Sequence, residues 1–164
     1  MKRFIISLLL AVAALTAQAE YVTPLPGQGL LIGFRGLNGA FDQQAFEEFA
    51  HKRNLIPLAF DHDNVIVAVL IADLYIVDYE LYGYSKGAES TLKFVKIARE
   101  ANIMLPRHIT TVGAYHTAKI DFRPYNISFK HYFDASGSRQ RNPGVHLPKI
   151  RHDKIQAYIN DCGC

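Results

Sequence analysis

The chain predicts an α/β three-layer sandwich built on a mostly parallel sheet of five or six strands. Short apolar runs recur between segments whose apolar residues follow helical spacing, the pattern of strands alternating with covering helices. Gly and Pro punctuate the joins between them. One of those joins, Gly83-Tyr84-Ser85-Lys86-Gly87, turns a β-rich run abruptly into a helix, with small residues two positions either side of Ser85. Strands that alternate with helices in one sheet demand right-handed crossovers and therefore parallel neighbours.

Pro24, Pro26, Gly27 and Gly29 make residues 20–29 an irregular lead-in. Leu30 to Phe34 is apolar throughout and reads as a fully buried strand, which stops at Arg35-Gly36-Leu37-Asn38-Gly39. From Ala40 to Lys52, the residues Phe41, Ala45, Phe46 and Phe49 share one helical face, with Asp42, Glu47 and Glu48 off it. Leu55 to Phe60 is the second strand, and Pro57 within it indicates a sheet edge. Asn64 closes a polar loop as a helix cap. Val65 to Tyr75 is rich in β-branched residues, but its length and cap favour a buried helix. The third strand, from Val77, leads into Ser85. The helix after it carries Ala88, Leu92, Val95 and Ala98 on one side and runs to about Ala101. A fourth strand spans Ile109 to Tyr115, a fifth Asn126 to Phe133, and Val145 to Ile150 holds a brief sixth. A closing helix spans Asp153 to Asp161, with Ile155, Tyr158 and Ile159 on one side.

Residues 1–19 read as a secretory signal peptide rather than as fold. Lys2 and Arg3 precede the apolar run Phe4 to Leu15, and Ala17 and Ala19 supply the small residues that signal peptidase reads. The run is short for a membrane span, and no other long uncharged apolar stretch follows. The expectation is an exported protein, periplasmic or secreted, with residues 20–164 forming one domain and no integral membrane segment after cleavage. Losing Lys2 and Arg3 takes the formal charge from +3 to +1, and no basic run exceeds two residues, so nothing points to nucleic acid. Cys162 and Cys164 are the only cysteines. An oxidising compartment permits a disulfide, though a one-residue spacing makes a strained loop; intermolecular pairing and a small redox couple stay open beside the favoured reading, a frayed tail. Oligomeric state leaves no mark in the sequence.

Ser85 is the leading candidate nucleophile. At so sharp a bend the central residue is strained, its hydroxyl stands at the rim of the sheet, and the amides of the next helix face whatever that hydroxyl attacks. Groups beyond the carboxyl ends of parallel strands share one crevice, and Ser85, Gly36 and Asp134 all fall there. A serine nucleophile needs a base, normally His, and a carboxylate that orients it.

The strand, the Gly-x-Ser-x-Gly turn and the helix together resemble the α/β-hydrolase superfamily. The specific likeness is to small lid-less members such as cutinases, and to lipases with a Phe-Arg-Gly segment after an early strand, here Gly33-Phe34-Arg35-Gly36-Leu37. The likeness spans roughly residues 30–160, and the family's first strands are missing, as in a trimmed core. It implies a serine esterase, lipase or thioesterase needing no cofactor and no metal. The implied acid is Asp134, just past the fifth strand, with Asp121 as the competing candidate. The implied base is His152, immediately before the closing helix, with His146 as the alternative. The implied oxyanion donors are the backbone amides of Leu37 and Lys86. His51, His62, His108, His116 and His131 read as structural or solvent-exposed. A Tyr before Ser85, a Lys after it and a short Asp134-to-His152 segment depart from the family pattern. The expected function is hydrolysis of a small-molecule or lipid ester through an acyl-enzyme. The rival expectation is a non-catalytic exported α/β module that binds a ligand or partner.

Overall fold

The computed structural model describes residues 28–75, 77–114, 120–133, 145–146 and 150–162. In chain order these form β1 (Gly29–Phe34), α1 (Gln43–His51), β2 (Leu55–Phe60), α2 (Val65–Tyr75), β3 (Tyr79–Tyr84), α3 (Gly87–Glu100), β4 (His108–Val112), β5 (Ser128–Phe133), β6 (Val145–His146) and α4 (Ile155–Cys162). The six strands make one sheet in the order β2-β1-β3-β4-β5-β6. Every neighbouring pair is parallel. β2 lies at the edge, where Pro57 costs the ladder least.

Side chains alternate across the strands and so divide the core in two. On one face Leu30, Ile32, Phe34, Tyr79, Leu81 and Ile109 pack against α2 and α3 through Val65, Val69, Phe94 and Val95. On the other, Leu31, Tyr82, Tyr84, Val112 and Tyr132 pack against α1 and α4 through Phe46, Ala50, Ile155 and Ile159. Each fully buried Leu, Ile or Phe contributes roughly 1.5–3 kcal/mol. Phe46 lies over Gly33, where an added Cβ would meet the ring at 2.6 Å. The ring thus fills space that only glycine leaves open.

α2 is apolar on nearly every side and is helical despite its valines and isoleucines. Asn64 accepts the Ala68 amide and opens it. Several boundaries differ from the expected ones for local reasons. α1 begins at Gln43 rather than Ala40, because Asp42 caps it through a bond from Ala45 N to its side chain. β3 starts at Tyr79, and β4 ends at Val112 where Gly113 turns with φ +62°. A single 3-10 turn, His152–Lys154, precedes α4. α4 is helical as far as Cys162, which is disulfide-bonded, where a frayed tail was expected. Its Gln156 accepts from Asp42 N at 2.8 Å, which ties α4 to the start of α1. No described helix is long and apolar enough to cross a membrane.

Candidate active site

The strand order reverses between β1 and β3, and the loops leaving these two strands diverge to opposite faces of the sheet. A crevice at their carboxyl ends follows from topology alone. Ser85 follows β3 directly, at φ +51°. Among the described residues five non-glycines have positive φ, and the other four (Asn38, Asn54, Asn102 and Asn126) are asparagine, which tolerates that region best. Ser85 therefore holds a conformation its side chain does not favour, at a cost of about 1–2 kcal/mol. Glycines flank the bend because nothing else fits. A Cβ on Gly83 would lie 2.7 Å from Ala88 Cα, and one on Gly87 would lie 2.1 Å from the Phe34 carbonyl oxygen. α3 is thereby pressed against the end of β1.

Ser85 N donates to Val112 O at 2.8 Å, fixing the bend to the end of β4. The next residue, Gly113, carries the imidazole of His152. A Cβ there would stand 2.7 Å from Cε1 and 3.0 Å from Nδ1 of that ring. The other neighbour of Ser85 also meets His152. The Tyr84 ring lies 5.0 Å from the imidazole at an interplanar angle of 35°, and its hydroxyl donates to His152 O at 2.8 Å. His152 is thus held from two sides by the residues that adjoin the Ser85 bend. Ser85 itself is only 6% exposed, so the hydroxyl sits within the crevice rather than on an open surface.

The segment after β1 forms the facing wall. Arg35 N donates to Phe60 O and Gly36 N to Ala40 O, closing the 3-10 turn Leu37–Gly39. A Cβ on Gly36 would approach Ser85 Cβ to 3.2 Å, so this backbone passes directly beside the serine. Leu37 is exposed. The Arg35 guanidinium lies 3.4 Å from Asp61 and over the Phe41 ring, supporting the loop. Lys86 stands at the start of α3 and pairs with Glu89 at 2.6 Å, which offsets the charge it would bring.

The remaining candidates are distributed as follows. Asp134 and His116 lie outside the described residues, and His146 is on β6 with its side chain outside the described part. Both Asp121 carboxylate oxygens are taken by Arg123, whose guanidinium holds the acid down at about 2. His131 is buried beside Phe122 and bonded to Thr111, and burial pushes its imidazole down to about 4. His51 ends α1, His62 lies 3.4 Å from Asp63, and His108 bonds Ser128 at 2.9 Å. Among the described residues no group of His, Cys, Asp and Glu is placed to hold a metal ion.

Two contributors to the site carry weak sequence signals. Gly113, a glycine closing a β-branched strand, marks a backbone turn but says nothing of the ring above it. Tyr84 reads only as a strand residue, although its hydroxyl reaches a residue 68 positions away.

No family model and no curated protein matches the chain. Among solved structures, human thioesterase 2 is similar at 18% identity and TM-score 0.43, over 56% of this chain and 43% of that one. RedJ, a thioesterase from the prodiginine pathway of Streptomyces coelicolor, is similar at 16% identity and TM-score 0.44, over 59% and 46%. A RedJ structure with a PEG molecule in its active site gives 18% and 0.43, over 62% and 54%. The chain spans about half the length of these proteins. Likeness of this degree adds nothing to the chemistry read from the residues themselves.

Proposed function

We propose that the protein is a serine hydrolase that cleaves an ester-type bond, thioesters included, at Ser85. The observation that supports this reading is the left-handed Ser85 at the end of β3, its amide bonded to Val112 O, with the His152 imidazole seated on the next residue, Gly113. Strain of this kind persists only where the surrounding structure enforces it.

In the proposed reaction His152 takes the Ser85 proton as the oxygen attacks the carbonyl carbon. The developing oxyanion is held by the amides of Leu37 and Lys86, and Asp134 steadies the imidazolium. Collapse breaks the bond to the leaving group, which departs with the proton from His152. Water then attacks the acyl-enzyme, again with His152 as base, and releases the acid and the free serine. An open crevice between β1 and β3, without an inserted lid among the described residues, favours small or surface-presented esters. Export through the leader at residues 1–19 belongs to the same proposal.

A fluorophosphonate probe tests it. The wild type should label, and Ser85→Ala should abolish labelling and lower p-nitrophenyl ester hydrolysis by about 1,000-fold or more. His152→Ala should do nearly the same, while activity that survives it but is lost in His146→Ala would move the base to β6. A folded wild type inert to the probe and to a panel of graded acyl lengths would leave a binding module instead.

A further inference from the structure

At the opposite end of the sheet from Ser85, the face covered by α1 and α4 is left open between the last turns of those two helices. A cavity of about 290 Å³ occupies the gap, lined by Phe49, Lys52, Arg53, His108, Lys130 and Tyr132, among others. Three permanent cations line it, and among the described residues no lining side chain is acidic. Beside it, the buried carboxylate of Glu80 is shared by Arg53 at 2.8 Å and Arg107 at 2.8 Å, so one carboxylate answers two guanidinium groups.

The cations are held in position. Lys52 Nζ donates to Asn160 O at 2.6 Å. The Arg53 guanidinium is fixed by Glu80 and stands 5.5 Å over the Phe49 ring. Lys130 Nζ stands 5.2 Å over Tyr132. Positioned cations over aromatic walls lower the ordering cost of receiving an anion. The positive field is also felt by His108, whose imidazole is pushed down chiefly by burial and further by Arg53, Lys130 and Arg107, against an opposing pull from Glu80.

We propose that this cavity is a second binding site, for a small organic anion. Its carboxylate or phosphate sits among Lys52, Arg53 and Lys130, and its apolar body lies against Phe49 and Tyr132. The site is separate from the ester-cleaving crevice. Its cations gather toward His108, the first residue of β4, whereas Ser85 adjoins Val112, the last, about 13 Å along the strand; only the Tyr132 wall reaches that far. The proposal does not depend on Ser85 being a nucleophile.

Titration of the full chain by amide NMR tests it, with benzoate, phenyl phosphate and inorganic phosphate as separate probes. Saturable shifts should gather at residues 49–53, 108–110, 130–132 and 159–160, and should weaken as salt rises. Lys52→Gln combined with Lys130→Gln should weaken binding about tenfold while the spectrum stays dispersed. Ser85→Ala should leave it unchanged. Tighter binding of benzoate assigns a carboxylate ligand, and tighter binding of phenyl phosphate a phosphate ester. Inorganic phosphate that binds as well as phenyl phosphate would overturn the assignment to an organic anion. Shifts gathered at Ser85 and Gly36, no saturation by about 20 mM, or affinity indifferent to the two lysine substitutions would overturn the site.

Discussion

The two ends of β3 handle a buried polar group in opposite ways. At the amino end Glu80, 2% exposed, is bracketed by Arg53 and Arg107, with both of its oxygens bonded. At the carboxyl end Ser85 is almost as buried, and it is the backbone that is strained. One end spends its surroundings on satisfying a charge, and the other on holding a hydroxyl where it would not settle alone. Burial by itself therefore says little about role. Compensated burial fixes the fold, whereas uncompensated conformation marks a place where the fold is subordinate to chemistry.

Three substitutions would break or sharpen this contrast. Away from Ser85 itself, the largest effect is expected from Gly113→Ala. The new methyl meets the His152 ring at 2.7 Å and the residue must hold φ +62°, so kcat for ester hydrolysis should fall roughly 100-fold. Stability should drop by only about 1 kcal/mol. A stability loss without an activity loss would remove His152 from the site. Next comes Glu80→Gln, which leaves two arginines facing a neutral amide. Urea unfolding should show a loss of roughly 2 kcal/mol, moderated because both arginines are partly solvated, with activity per folded molecule unchanged. Impaired hydrolysis in a stable protein would join the two ends into one functional unit. Ser85→Gly, which removes the hydroxyl and relieves the left-handed strain, tests the bend itself. Unfolding free energy should rise by about 1 kcal/mol while hydrolysis disappears. A destabilised variant would mean the bend is not strained.

The fold was legible because its signals are local. Pro57 marked the edge strand, the all-apolar Leu30–Phe34 run marked a central one, and the two glycines around Ser85 marked the bend. The errors at boundaries arose where a single polar atom decides, as when Asp42 captures the Ala45 amide and delays α1. The candidate site was legible only in part. Ser85 carries a sequence pattern, but the seat of His152 is built from Gly113 and Tyr84, which meet it across the chain and leave no spacing to read. The cations of the second cavity, at 52, 53 and 130, sit on a helix end and a strand and converge only when the sheet forms. Long-range juxtaposition of this kind is invisible to periodicity.

The placement of Pro57 has a consequence for how copies of this protein can meet. A bare strand margin invites a neighbouring chain to zip on, amide to carbonyl. Here one margin is β2, whose proline lacks a hydrogen to donate, and the other is β6, two residues long. Among the described residues both flanks are poor templates for runaway stacking, which favours helix surfaces and loops for any association of this chain with itself.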